Sequence, residues 1–152
     1  MSRTLAIRAL VRIEDGAYAN VVLPALLRES ALTPRDRAQV TEWVYGTTRM
    51  QRALDQLLRN CIDRPIAKLD PPVRAGLRLG AYQLMHGISP HAAVGETVNA
   101  MGKVSPRAKG CVNAVLRKLA ASGPPGSLPE GDDVESIAIR APSAEWSGRW
   151  WV

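Results

Sequence analysis

The sequence lacks several features that would assign it to a class of protein at once. It has no run of 18 apolar residues and no charged segment feeding an apolar one at its start, which argues against a membrane-spanning helix and a secretory signal. Its two cysteines, Cys61 and Cys111, lie far apart without CxxC spacing, so neither a disulfide framework nor a zinc site is indicated. Both fall near apolar stripes, which favours buried thiols. We therefore expect a soluble cytoplasmic protein.

The sequence also lacks a recognisable catalytic constellation. No glycine-rich strand-to-helix turn of the kind that holds a dinucleotide or S-adenosylmethionine appears, because Gly76 and Gly80 fall inside a helical pattern, where a packing role is favoured. His86 and His91 flank a turn, and the position of His91 directly after the Ser89-Pro90 cap favours a polar first-turn residue over a base or ligand. We expect no catalytic residue, no metal and no cofactor in this chain.

Positive charge is what the chain has in excess, and it is unevenly distributed. The 152 residues include 20 Lys+Arg and 14 Asp+Glu, a net charge of +6. Residues 1–122 carry 18 basic and 9 acidic side chains, a net charge of +9, whereas residues 123–152 carry 2 and 5, a net charge of −3. Sixteen of the cations are arginines, whose planar donors suit phosphates and base edges. An anionic polymer is one expected partner; solvated helix faces are the alternative interpretation.

Helix-start signals divide the first 122 residues. In each signal a capping residue is followed by proline: Thr33-Pro34, Asp70-Pro71, Ser89-Pro90 and Ser105-Pro106. Apolar residues recur with helical spacing after each start and in two segments before Thr33, and no segment is typical of a strand. This pattern predicts an all-α bundle of about seven helices. One stripe from Val40 to Ile62 stays in phase across Gly46, which predicts a long central helix, kinked near that glycine.

The composition changes after residue 122. Residues 123–133, GPPGSLPEGDD, are rich in proline, glycine and acid, which predicts a flexible linker after a globular domain at 1–122. Residues 134–152 hold Trp146, Trp150 and Trp151. A chain end this rich in tryptophan predicts that residues 134–152 begin a connector, whose packing partner lies outside these residues. The alternative is that these tryptophans fold back on the helical domain.

Three groups of cations are candidates for phosphate contacts. They are Arg3, Arg8 and Arg12 near the start, Arg49 and Arg52 past Gly46, and Lys109, Arg117 and Lys118 in the last helix. If the first and last helices lie side by side, the groups would merge into one phosphate-tracking surface. Trp43 falls on the core stripe, so we expect recognition by arginine contacts rather than by base stacking.

Four blocks of sequence carry a family resemblance. They are DRAQVTEWVYGTTR (36–49), LDPPVRAGLRLGAYQL (69–84), ISPHAAVGETV (88–98) and GCVNAVLRKL (110–119). In this order they resemble the NusB-like N-terminal domain of bacterial 16S ribosomal RNA cytosine-C5 methyltransferases, the RsmB (Sun/Fmu) family. Pro142, Trp146 and Trp150 resemble the stretch in which that family's linker to the methyltransferase begins. Gly95 and Cys111 depart from the family pattern.

The resemblance implies an all-helical NusB-like fold that binds ribosomal RNA and places substrate for a methyltransferase domain. The chain stops at Val152, before any S-adenosylmethionine site, and contains no Pro-Cys dipeptide. We therefore expect no methyl transfer from these residues, since the cofactor would bind the absent domain.

Two alternatives stay open. A NusB-type transcription antitermination factor would share the fold and bind single-stranded RNA together with a ribosomal protein. A protein-interaction module would instead dock on a separately encoded methyltransferase or a ribosomal protein through Trp146, Trp150 and Trp151.

Overall fold

Seven α-helices and two short 3₁₀ turns make up the computed structural model, which describes residues 1–122. The helices are, in chain order, α1 (Ser2–Glu14), α2 (Ala19–Arg28), α3 (Pro34–Arg49), α4 (Gln51–Arg59), α5 (Pro71–Met85), α6 (Pro90–Val104) and α7 (Lys109–Ala121). The 3₁₀ turns are Ile66–Lys68 and Pro106–Ala108. The predicted all-α fold of about seven helices is confirmed.

Most helix starts lie where the capping signals predicted them. Thr33 Oγ1 accepts a hydrogen bond from the N–H three residues ahead at 3.2 Å, and Ser89 Oγ does the same at 3.4 Å. Asp70 precedes α5 without such a bond. After Ser105 the chain first forms the 3₁₀ turn, so α7 begins only at Lys109.

The single long helix predicted across Gly46 is in fact two helices, α3 and α4, which meet at Met50. The backbone of Met50 departs from helical geometry (φ −95°, ψ 16°), and its side chain is buried. Hydrogen bonds of 2.9 Å still join Met50 N–H to Gly46 O and Leu54 N–H to Met50 O. The chain therefore turns without losing its apolar phase, which is why periodicity could not reveal the break. The turn lets α4 lie against α5 and α7 while α3 packs on α1 and α5.

The central helix is α5, which corrects the expectation that the third helix would be central. Eleven of its 15 residues are buried, and it packs against α1, α3, α4, α6 and α7. Two glycines permit this: a Cβ at Gly76 would lie 2.7 Å from Met101 Sδ of α6, and one at Gly80 would overlap Leu116 of α7. The packing role predicted for both glycines is confirmed.

Within residues 1–122, no helix combines the length and the apolar character needed to span a membrane. The linker predicted at 123–133 and the connector predicted at 134–152, with its tryptophans, lie outside the described residues.

Candidate nucleic-acid interface

Arg8 and Arg12 are exposed on one flank of α1, and we call this surface the α1 face. The opposite side of the helix buries Leu5, Ala9 and Leu10 in the core, so the helical period directs both arginines outward. Side chains four residues apart on a helix are neighbours, with Cβ atoms about 5–6 Å apart. Among residues 1–122 neither guanidinium forms an ion pair or a side-chain hydrogen bond. The N–H groups of both guanidinium groups can therefore donate hydrogen bonds to an anion.

Arg3, the third cation predicted on this helix, is part of the interior. Its Nε donates to Gln83 Oε1 at 2.8 Å, and its Nη1 pairs with Glu96 Oε2 at 3.2 Å. The guanidinium lies 4.7 Å from the ring centroid of Trp43. Burial lowers the pKa of Arg3, and the charge of Glu96 opposes this shift. Arg3 therefore ties α1 to three other helices and does not belong to the α1 face.

Arg49 and Arg52, which are close in sequence, occupy different environments because the turn at Met50 separates them. Arg49 is half-buried beside Tyr82 of α5. Burial raises the pKa of Tyr82 to about 12; the Glu42 carboxylate adds to the rise, and the charge of Arg49 opposes it. Arg52 is exposed at the start of α4 and borders a cleft.

The cations predicted on the last helix are all exposed. Lys109 lays its aliphatic chain over Gly102 of α6, where a Cβ would lie 3.1 Å from Lys109 Cδ. Arg117 Nε donates to Asn113 Oδ1, one turn back, at 3.0 Å. Lys118 borders a cleft. All three side chains reach solvent from α7, with Arg117 already partly engaged by its own helix.

Helices α1 and α7 do not lie side by side. Helix α1 packs against α2, α3, α5 and α6, whereas α7 packs against α4, α5 and α6. The condition under which the three groups of cations would merge into one surface is therefore not met. The structure instead brings cations of α4 and α7 together around the loop that follows α4.

Two adjoining clefts form this second surface. One, of about 630 Å³, lies along α4, and the other, of about 510 Å³, lies between the 61–70 loop and α7. They share Ile62, Asp63 and Arg64. We call the pair the basic groove, after the five cations that border it: Arg52, Arg59, Arg64, Lys68 and Lys118.

The groove combines a basic rim with an apolar floor. Leu69, Val73 and Val115 line its α7 side. Of the aspartates at its border, Asp55 accepts hydrogen bonds of 2.8 and 3.0 Å from Arg78 of α5. The cations thus outnumber the carboxylates that remain available to an incoming group. Such a surface fits a polyanion or an acidic peptide that carries apolar side chains.

The predicted residues included Arg52 and Lys118 but missed Arg59, Arg64 and Lys68. Arg52 and Arg59 are seven residues apart, two helical turns, which was an available signal that they share a face of α4. No local pattern connects either of them with Lys118, because the groove exists only once the 61–70 loop lies against α7.

Two further arginines, Arg74 and Arg78, lie largely out of solvent, because α1, α4 and α5 meet in an ionic network. Asp55 and Glu14 both accept hydrogen bonds from Arg78, and Glu14 also pairs with Arg74 Nη2 at 2.7 Å. Burial on its own would raise the pKa of Glu14, but hydrogen bonds and charges from Arg74 and Arg78 outweigh it, so this pKa is lowered. This network supports the fold rather than the interface.

The family model described as "NusB family" matches residues 1–121. The chain belongs to the NusB family. The four blocks that carried the resemblance lie largely on α3, α5, α6 and α7 of this NusB domain, so they describe its core. The exposed arginines of the α1 face lie outside those blocks.

Curated relatives of the NusB domain agree with the resemblance. The chain is 42% identical over 118 residues to the ribosomal RNA small subunit methyltransferase B of Thermus thermophilus, covering 78% of this chain and 29% of that protein. It is 40% identical over 124 residues to the Pseudomonas putida protein of the same name, covering 80% and 28%. A probable methyltransferase B of Bacillus subtilis is 34% identical over 156 residues, covering 99% and 34%. The chain thus spans about a third or less of the length of these relatives.

The cysteines of the NusB domain both border the α7 side of the basic groove. Cys61 is buried as expected, whereas Cys111 is exposed, so the expectation of a second core thiol was wrong. Burial raises the pKa of the Cys61 thiol, and the nearby charge of Lys118 opposes the rise. Among residues 1–122 no group of three or more His, Cys, Asp or Glu side chains is placed to hold a metal ion.

Proposed function

We propose that this NusB domain binds ribosomal RNA and places it for a cytosine-C5 methyltransferase. The observation that carries the proposal is the match over residues 1–121 to the NusB family, together with relatives named as small-subunit ribosomal RNA methyltransferases. On this proposal the chain supplies RNA affinity and orientation, and the methyl transfer with its S-adenosylmethionine belongs to a separate domain.

The α1 face is the proposed first contact with RNA. Arg8 and Arg12 have no protein partner to give up among residues 1–122, so no internal ion pair is lost when a phosphate arrives. A guanidinium binds a phosphate through two parallel hydrogen bonds, and two of them one turn apart suit neighbouring phosphates of one strand. Each phosphate that is neutralised releases counterions, so affinity is expected to fall as salt rises.

The exposed cations of α4 and α7 extend the proposed interface. Arg52 and Lys118 act from the basic groove, while Lys109 and Arg117 act from the exposed side of α7. Arg49 is a weaker candidate because it is half-buried. Arg3 contributes indirectly by fixing α1, and thereby the α1 face, on the bundle.

The test is to titrate labelled 16S ribosomal RNA fragments with the full chain and to measure the affinity by fluorescence anisotropy at several salt concentrations. The variant Arg8→Ala/Arg12→Ala should bind more weakly and should reduce the salt slope by about 1 for each phosphate contact removed. The matched control is Arg35→Ala/Arg37→Ala, which removes two exposed charges from α3.

Three results separate the possibilities. Affinity that is absent, or indifferent to salt, contradicts the proposed RNA binding. Equal losses of RNA affinity in the two double variants reject the α1 face as the binding site and leave only non-specific electrostatic attraction between the basic chain and RNA. A pull-down with the tagged chain gives the third result. Recovery of transcription elongation proteins rather than ribosome precursors favours an antitermination factor over a domain that places RNA for a methyltransferase.

A further inference from the structure

Tyr18 is an exposed aromatic side chain at the junction of α1 and α2. Residues 1–122 contain four aromatic residues, Tyr18, Trp43, Tyr45 and Tyr82. Trp43 and Tyr82 are buried and Tyr45 is half-buried, whereas Tyr18 is 76% exposed. Exposed aromatic rings are the side chains on which unpaired nucleic-acid bases stack. Base stacking, which the sequence did not predict, therefore has a candidate residue in the described part of the chain.

The turn between α1 and α2 holds Tyr18 next to the end of α1. Ala17 N–H donates to Arg12 O at 3.1 Å, and Gly16 turns the chain with a φ of 109°, as in the Schellman motif that ends many helices. On the other side of the turn, Tyr18 O accepts a hydrogen bond from Val22 N–H at 2.9 Å. Backbone hydrogen bonds on both sides thus fix Tyr18 one residue away from a direct contact with Arg12.

The charges around this turn separate a place for phosphates from a place for a base. Arg8 and Arg12, on the α1 face, attract phosphates, whereas Asp15, exposed at the end of α1, repels them. Val21, whose N–H donates to Tyr18 O at 3.0 Å, is 63% exposed and adds apolar surface. The uncharged base of a nucleotide is therefore the part that suits the Tyr18 end of this surface.

We propose that Tyr18 stacks on an unpaired base of the RNA strand whose phosphates contact Arg8 and Arg12. This stacking rests on the proposed RNA binding and adds to it a preference for single-stranded RNA, because the bases of a double helix are already stacked on one another. Every base has a π-face, so the contact tolerates any sequence. Stacking releases no counterions from the phosphates, so this part of the affinity does not depend on salt.

The test uses the full chain with two probes, a short single-stranded RNA and the duplex that it forms with its complement. Tyr18→Ala should weaken binding of the single strand at least about 5-fold, the lower limit for one lost stacked base. The salt slope and the affinity for the duplex should stay unchanged. Arg8→Ala/Arg12→Ala should instead reduce the salt slope with the single strand.

A fluorescent base reports the contact directly. The base analogue 2-aminopurine loses fluorescence when it stacks, and we would place it at successive positions of the single strand. The wild type should quench it at one or more positions, and Tyr18→Ala should abolish this quenching. Because Tyr18 is exposed, Tyr18→Ala should unfold thermally like the wild type.

Three variants separate a stacked base from other contacts of the ring. Tyr18→Phe keeps the ring and should bind like the wild type. Tyr18→Leu keeps an apolar side chain without a π-face and should bind like Tyr18→Ala. In Tyr18→Ala/Gln39→Tyr the ring is moved to an exposed position of α3, where it should not restore the affinity.

The outcomes distinguish a failure of the stacking from a failure of RNA binding. Equal single-strand affinities for the wild type and Tyr18→Ala, with the salt dependence intact, overturn the stacking and leave the proposed function standing. Full affinity in Tyr18→Leu, or recovery through Gln39→Tyr, also overturns it, because an apolar contact or any exposed ring would then suffice. A wild type that binds neither probe contradicts the proposed function and the stacking together.

Discussion

Arg78 of α5 donates two parallel hydrogen bonds to Asp55 of α4, at 2.8 Å from Nε to Oδ1 and 3.0 Å from Nη2 to Oδ2. Its Nη1 donates to Glu14 Oε2 of α1 at 2.6 Å. The Arg78 side chain is only 9% exposed. Burial would lower its pKa, but Asp55 and Glu14 outweigh burial and raise it. A charge this deep in the bundle is tolerated because both sides of its fork meet a carboxylate.

Replacing Arg78 by methionine should therefore destabilise the domain strongly. Methionine keeps an apolar side chain but leaves the Asp55 and Glu14 carboxylates without this cation. Breaking a fully buried pair costs about 3–5 kcal/mol, and because these carboxylates are 27% and 28% exposed the loss should lie toward the lower end of that range. Urea unfolding followed by circular dichroism measures the loss. Asp55→Asn in the same chain should recover part of it, and Arg35→Met, on the exposed start of α3, should change stability by less than about 0.5 kcal/mol. A similar stability for Arg78→Met and Arg35→Met would refute the structural role.

Gly46 and Gly95 make a matched pair for a test of helix packing. A Cβ at Gly46 would overlap the ring and hydroxyl of Tyr82, which is only 2% exposed, whereas a Cβ at Gly95 would meet nothing within 4 Å. Gly46→Ala should lower the free energy of unfolding by about 1–3 kcal/mol through overpacking. Gly95→Ala should raise it by about 0.5–1 kcal/mol, because alanine favours the helix interior. The same sign of change at both positions, in thermal or urea unfolding, would contradict the close approach of α3 and α5.

The Gln83 amide should be sensitive to the loss of a single acceptor. Gln83 is fully buried, and its Nε2 donates to Thr97 Oγ1 at 2.9 Å and to Leu79 O at 3.1 Å. Thr97→Val keeps the shape but leaves one buried N–H unpaired, which should cost about 1–3 kcal/mol in urea unfolding. The control is Thr41→Val, whose hydroxyl bonds its own helix at an exposed position, and it should cost less than about 0.5 kcal/mol. Equal costs would rule out the buried hydrogen bond as the cause.

Stability should fall at acid pH through Glu14. Because arginine contacts lower the folded-state pKa of Glu14, its contribution is fully present above the unfolded-state pKa, about 4.3, and is lost as pH falls through the lower folded value. Urea unfolding between pH 3 and pH 6 should show this decline. Glu14→Gln should be less stable at neutral pH and should flatten the decline below about pH 4.3. The exposed control Glu29→Gln should keep the wild-type profile, and an unchanged slope in Glu14→Gln would exclude this linkage.

Local signals in the sequence predicted much of the bundle. The caps at Thr33 and Ser89 and the close-packing glycines of α5 all lie where short patterns placed them. The break at Met50 escaped because the apolar phase continues through it, so that one long helix and two shorter ones share the same periodicity. The exposure of Cys111 escaped for a related reason: a residue at the edge of an apolar stripe is buried only if a neighbour covers it.

The candidate interface was predictable only in part. Its charge and the exposed pair on α1 follow from composition and from the spacing of Arg8 and Arg12. The basic groove does not, because its two ends, Arg52 and Lys118, are 66 residues apart and are joined only by the folded 61–70 loop.

The sequence by itself determined an all-helical fold for residues 1–122, a net charge of +9 on those residues and membership of the NusB family, since helical period, charge and sequence blocks are properties of short segments. Only the tertiary structure decided which cations remain available. Arg3 is engaged by a hydrogen bond to Gln83, 80 positions away, and Arg78 by hydrogen bonds to Asp55, 23 positions away. Arg8 and Arg12 remain exposed to solvent. Side-chain hydrogen bonds and ion pairs at such separations depend on which helix faces meet, and no local pattern records that.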